Sequence, residues 1–147
     1  MSEQHKAHIA AFLDRVLTSG EISATGEYFH EDMVEEVPFP SQGPGLAGLM
    51  ETLVGLRTAF PDMRWRVEEQ IAEDSRVLTR FVWEGTQRGD FLGIPPTHRA
   101  VSVWGMVIDQ FEGEKVKSTR ILMDTMGLMQ QLGVLPGVPE QGDDPAA

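Results

Sequence analysis

Arg120 and Asp124 stand at the end of an alternating stretch, where a period of two places Ser118, Arg120, Leu122 and Asp124 on one face of a strand. A carboxylate beside a carbon flanked by two carbonyls can remove its already acidic proton without a metal. An arginine nearby can hold the oxygen on which charge develops. Burial would raise the pKa of such an aspartate, and a neighbouring arginine would lower it. The same residues also fit plainer roles: Asp124 as the cap of a following helix, Arg120 as a solvated surface charge. Glu84 and Asp109 lie on other long alternating stretches and could supply a second acid if they face inward, with Arg80 as a further arginine. Cysteine is absent, which excludes thiol catalysis, disulfides and thiolate zinc sites.

Aromatic residues could form the walls of such a site. Trp65, Trp83 and Trp104 fall on three successive strand-like stretches and could stack on a flat ligand, Trp104 first and Trp83 second. Phe39, Phe60 and Met106 are further lining candidates. His5 and His8 are spaced for metal binding but lack a third ligand, so a solvated pair is expected, as is a surface position for His30 and His98. Glu35-Glu36 and Glu68-Glu69 read as solvated charge, and Met123, Met126 and Met129 as packing residues.

The elements that must position these residues follow from periodicity. Ile9, Phe12, Leu13, Val16 and Leu17 mark an amphipathic helix that Gly20 closes. A shorter helix is expected over 21–30, a short strand over 33–37 stopped by Pro38 and Pro40, and a helix along Leu46, Leu49, Leu53 and Phe60. Alternation then predicts strands over 63–71, 77–87, 101–111 and 116–123, and a last helix from Asp124 to Gly133. This order predicts an α+β fold: a cone-shaped barrel of strongly bent antiparallel sheet packed on three to four helices, with a pocket in its mouth. Residues 1–134 form one domain on this reading, and the Pro-, Gly- and acid-rich tail 135–147 is expected to be disordered.

The chain of 147 residues carries 12 Lys and Arg against 23 Asp and Glu, a net charge of -11 that repels nucleic acid and anionic membranes. No basic start precedes an apolar run, and no stretch approaches the roughly 20 apolar residues that span a bilayer, so a cytoplasmic protein is expected.

Two stretches, GTQRGDFLGIPPTHR over 85–99 and DTMGLMQQLG over 124–133, resemble the SnoaL-like polyketide cyclase (ester cyclase) family of the nuclear-transport-factor-two-like superfamily. The Phe60-Pro61-Asp62 junction also fits the family layout, and the resemblance spans roughly residues 4 to 134. It implies a cone-shaped barrel, a homodimer, no metal or cofactor, and ring closure of a hydrophobic polycyclic substrate by intramolecular aldol chemistry. It also implies that Asp124 is the acid/base, and the residue reading adds Arg120, Trp104 and Trp83 as substrate contacts. Ser118, Thr119 and Arg120 replace a Glu, His, Trp run common in relatives, Gln87 stands where histidine is frequent, and His98 where glycine is. An isomerase or epoxide hydrolase in the same pocket, or a non-catalytic binding protein, are the alternative functions.

Overall fold

The computed structural model describes residues 2–137, so the expected tail lies from 138 onward outside the described residues. Helix α1, Ser2–Phe12, continues as a π-helical turn, Leu13–Thr18, and together they bury Ile9, Phe12, Leu13, Val16 and Leu17. In place of a helix over 21–30 the chain makes a short 3-10 segment, Ile22–Glu27, and then enters strand β1, Phe29–Glu35. The aromatic pair Tyr28-Phe29 explains the early switch: both rings pack into the core against Phe12. Helix α2, Gly45–Ala59, follows the expected periodicity and buries Leu49, Leu53, Leu56 and Ala59.

Four long strands come next: β2 (Arg64–Glu73), β3 (Arg76–Thr86), β4 (Ala100–Glu112) and β5 (Lys115–Met123); helix α3, Thr125–Leu132, closes the fold. The sheet order is β1-β5-β4-β3-β2. The fold is the expected α+β type, a curled five-stranded sheet with helices packed on it. Within it β1 joins β5 in parallel, whereas every other neighbouring pair is antiparallel. Register breaks in β1, in β2 after Val67 and at the β4–β5 pairing after Gln110 supply local bends.

The segment joining β3 to β4 is held by the fully buried Gln87. Its amide nitrogen donates to the carbonyls of Gly89 and Ile94, and its oxygen accepts from the Thr97 amide and hydroxyl. Gln87 therefore ties this loop through four hydrogen bonds, which a single imidazole could not make. His98 is exposed at a positive φ of 59°. Among the described residues no helix is long and apolar enough to cross a membrane.

Gly105, on the inner face of β4, lets the Phe81 ring lie against the backbone: a Cβ there would stand 2.7 Å from both Phe81 Cζ and the Leu122 carbonyl oxygen. Gly105→Ala should therefore destabilise the fold by about 1–3 kcal/mol, read as a lower urea midpoint. An unchanged midpoint would show that Phe81 is free to move away.

Candidate active site

Strand β4 alternates without interruption from Val101 to Asp109. Val101, Val103, Gly105, Val107, Asp109 and Phe111 turn into the core, while Trp104, Met106 and Ile108 face outward. Asp109 is thus carried inward by the apolar residues in phase with it, and only 3% of its surface is exposed. On β5 the alternation is broken. Gln110 pairs with Ser118 but Phe111 with Val116, so Lys117 is an extra residue. This bulge reverses the parity set by the buried Val116 and sends Thr119 inward, with Ile121 and Met123 beside the same cavity. Thr119 is the cross-strand partner of Asp109. Glu35 joins them from the end of β1.

These groups share an internal cavity of about 80 Å³. Phe12, Leu13, Phe29, Trp65, Phe81 and Val107 form much of its wall. Phe39, Gln42, Thr52 and Leu56 line both this cavity and an outer cleft of about 370 Å³, so the two adjoin. None of the residues lining the inner cavity is basic.

Desolvation governs the electrostatics. It pushes the Asp109 carboxyl up to about 7; the Thr119 hydrogen bond pulls the other way, and the Glu35 charge adds to the rise. Burial likewise raises Glu35 to about 6, opposed by the Val37 amide, which donates to its Oε2 at 3.0 Å. The cavity therefore holds two carboxyl groups whose proton affinity is raised toward neutrality, within mostly apolar walls. Among the described residues no group of three or more His, Asp or Glu side chains is placed to hold a metal.

A model of the SnoaL-like polyketide cyclase family matches residues 7–132. The chain belongs to this family. Solved structures share the fold of this SnoaL-like protein. AclR from Streptomyces galilaeus, a candidate hydroxylase, is 25% identical with a TM-score of 0.82, over 95% of this chain and 87% of that one. A candidate SnoaL-like polyketide cyclase from Jannaschia sp. is 21% identical with a TM-score of 0.81, over 92% and 95%. IdmH from Streptomyces antibioticus, a candidate polyketide cyclase, is 23% identical with a TM-score of 0.77, over 88% and 99%. A comparison with curated proteins finds no match.

The residues singled out in the sequence distribute unevenly in this SnoaL-like structure. Phe39 lines the cavity. Asp124 is the N-cap of α3: its carboxylate accepts from the Gly127 amide at 3.0 Å, and it is not among the cavity-lining residues. Arg120 is on the outward side of the β5 bulge and pairs with Glu36 at 3.3 Å. Trp104 and Met106 also point outward, 49% and 37% exposed. Trp83 and Phe60 are fully buried and pack edge to face on each other, with Trp83 Nε1 donating to Met123 Sδ. Arg80 and Glu84 are occupied in ion pairs with Glu69 and Arg66.

Two histidines depart from the solvated pair expected for them. His5 is buried and stacks on Phe111 at 3.9 Å, and His8 Nε2 bonds the Tyr28 carbonyl. The Phe111 ring covers His5, and Tyr28 and Phe111 flank His8. Glu35, read from the sequence as solvated charge, is the functional candidate that reading missed. The available signal was its spacing of two from the buried Met33.

The raised Asp109 carboxyl binds its proton more tightly in the folded than in the unfolded state. Stability is therefore fully present below the usual value of 3.8 and falls as pH rises toward about 7. Asp109→Asn should remove this loss. At pH 8 the variant is expected to exceed the wild type by on the order of a few kcal/mol in urea unfolding, with the difference shrinking by pH 4. A variant no more stable at pH 8 would contradict a costly buried charge.

Proposed function

We propose that this protein is a cofactor-independent cyclase that closes a ring in a hydrophobic, polyketide-like small molecule by intramolecular aldol chemistry, with Asp109 as the acid/base. The observation that carries this reading is a carboxyl group enclosed by apolar walls and poised near neutrality. The fold alone does not choose the reaction: AclR is a candidate hydroxylase and IdmH a candidate cyclase on similar frames.

In the proposed reaction ionised Asp109 takes the proton from a carbon between two carbonyls. The resulting enolate carbon attacks a further carbonyl carbon of the same molecule, and one carbon–carbon bond forms. The electron pair of that carbonyl moves to its oxygen, which takes the proton back from Asp109 to become a hydroxyl. Mass is unchanged and the carboxylate is regenerated. Apolar walls keep the base desolvated, and Glu35 tunes it by raising its proton affinity.

The inner cavity of about 80 Å³ suits the reacting end of a substrate, and the adjoining cleft of about 370 Å³ suits the remaining rings. Two carboxyls also meet one requirement of a hydrolase, and solvent made with heavy oxygen separates the readings, because hydrolysis incorporates the label and ring closure does not. The proposed homodimer would use the outer sheet face, where Trp104, Met106, Ile108 and Leu122 stand exposed.

With a substrate identified from a panel of polyketide intermediates, kcat/KM should rise with pH to a plateau through about 7. Asp109→Asn should lose turnover by about 10²-fold or more while staying folded. Glu35→Gln should remain active with its midpoint moved to lower pH, since a neighbouring negative charge is gone. Full activity in Asp109→Asn would sink this reading, and binding without conversion in the wild type would point to a carrier.

A further inference from the structure

Trp65 is 8% exposed, and its indole Nε1 is buried with no hydrogen-bond partner. Buried tryptophan N–H groups ordinarily find an acceptor, and an orphaned one in a native core calls for a reason. Trp83 shows the ordinary case, since its Nε1 donates to Met123 Sδ at 3.3 Å. Trp65 is instead one of the residues that line the cavity holding Asp109, Glu35 and Thr119.

The ring is firmly held. It stacks on Trp83 with centroids 5.8 Å apart and planes 17° from parallel, and it leans on Phe81 at 4.8 Å. The Trp65 backbone is clamped by Thr18, whose Oγ1 accepts from the Trp65 amide at 2.8 Å and donates to its carbonyl at 3.3 Å. A donor held this rigidly loses little entropy when it meets an acceptor.

The other polar groups of the cavity leave a gap in its chemistry. Asp109 and Glu35 accept when ionised, the Thr119 hydroxyl is engaged by Asp109, and the Thr52 hydroxyl is spent on the Gly48 carbonyl at 3.0 Å. Gln42 lines the mouth shared with the outer cleft, its oxygen taken by the Phe39 amide, so its amide N–H groups are donors for the entrance. No arginine or lysine lines the cavity, and Arg120 is outside it. Proton removal beside a carbonyl leaves negative charge on oxygen, which needs a donor positioned in advance.

We propose that the unpartnered Nε1–H of Trp65 donates to the carbonyl or enolate oxygen of the bound ligand, so that the inner cavity selects molecules presenting a ketone-type oxygen. This rests on the reading of Asp109 as the base and adds the group that receives the charge the base creates. A purely hydrocarbon ligand is then expected to be a poor match, because it leaves the indole N–H unpaired.

The test uses the full-length protein with nitrogen-15-labelled tryptophan, whose three indole N–H signals are followed by NMR. The probes are 2-naphthol, an enol mimic, and naphthalene, its oxygen-free counterpart. The Trp65 signal should move downfield with naphthol and much less with naphthalene, while the Trp83 signal stays. Trp65→Phe keeps a ring against Phe81 and Trp83 and should bind naphthol about tenfold more weakly, with naphthalene affinity changed by less than about twofold. The wild-type shift stands even if the variant folds poorly. Naphthol that shifts the Phe12 and Phe81 ring signals but not the Trp65 indole would overturn the donor role and leave the Asp109 reading intact. Failure of 2-naphthol to enter the cavity would overturn the ligand class as well. Wild-type turnover surviving in Asp109→Asn is the separate result that removes the base.

Discussion

The desolvation of one carboxyl group organises the site. Asp109 lies near the hairpin end of the long strand β4, with β3 on one side and β5 on the other, and it cannot turn to solvent without taking Val107 and Phe111 out of the core. An isolated charge in such surroundings costs far more than the fold can supply, so the group shifts its proton equilibrium instead. What would be a structural defect in a purely packed core is tolerated because the proton is held up to near neutral pH. The same displacement that weakens the fold at alkaline pH makes the group useful as a base.

Two backbone features assemble the rest around it. The extra residue on β5 rotates Thr119 toward Asp109 and Arg120 away, so one insertion both places a hydroxyl beside the carboxylate and keeps a cation out of the cavity. The parallel pairing of β1 with β5 then brings Glu35, distant in sequence, to the same space. With no arginine in the cavity, the Glu35 charge adds to the proton affinity of Asp109, as the Glu36 charge adds to that of Glu35. An inward Arg120 would instead have held them ionised.

Much of this was legible in the chain. Uninterrupted alternation gave four long strands to within a residue or two, whereas the parity of Asp109 stayed open in the sequence although it is in phase with Val101, Val103, Val107 and Phe111. Other parts depended on long-range geometry. Trp104, Met106 and Ile108 make the outer face of β4 nearly as apolar as its inner face, so side-chain character could not say which aromatic faces a ligand. Alternation alone put Arg120 and Asp124 on one face, but a single bulge turned Arg120 outward and the strand ends at Met123, before Asp124; a bulge carries no local signature in Lys117. The capping role of Asp124 was equally visible in the residues that follow it, and the bond to Gly127 realises it. Glu35 looked like half of a charged pair because the parallel partner that shelters it lies more than eighty residues away, as its neighbour Glu36 bonding the Thr119 carbonyl shows.

The central claim is that Asp109 exchanges its proton near neutrality because it is buried in the cavity. Carbon-13 NMR of the side-chain carboxyl carbons, followed through a pH titration of the full-length protein, tests it most directly. The account predicts that the Asp109 signal titrates at about 7, some three units above an ordinary aspartate. A midpoint near 4 would show a solvated carboxylate and contradict the account.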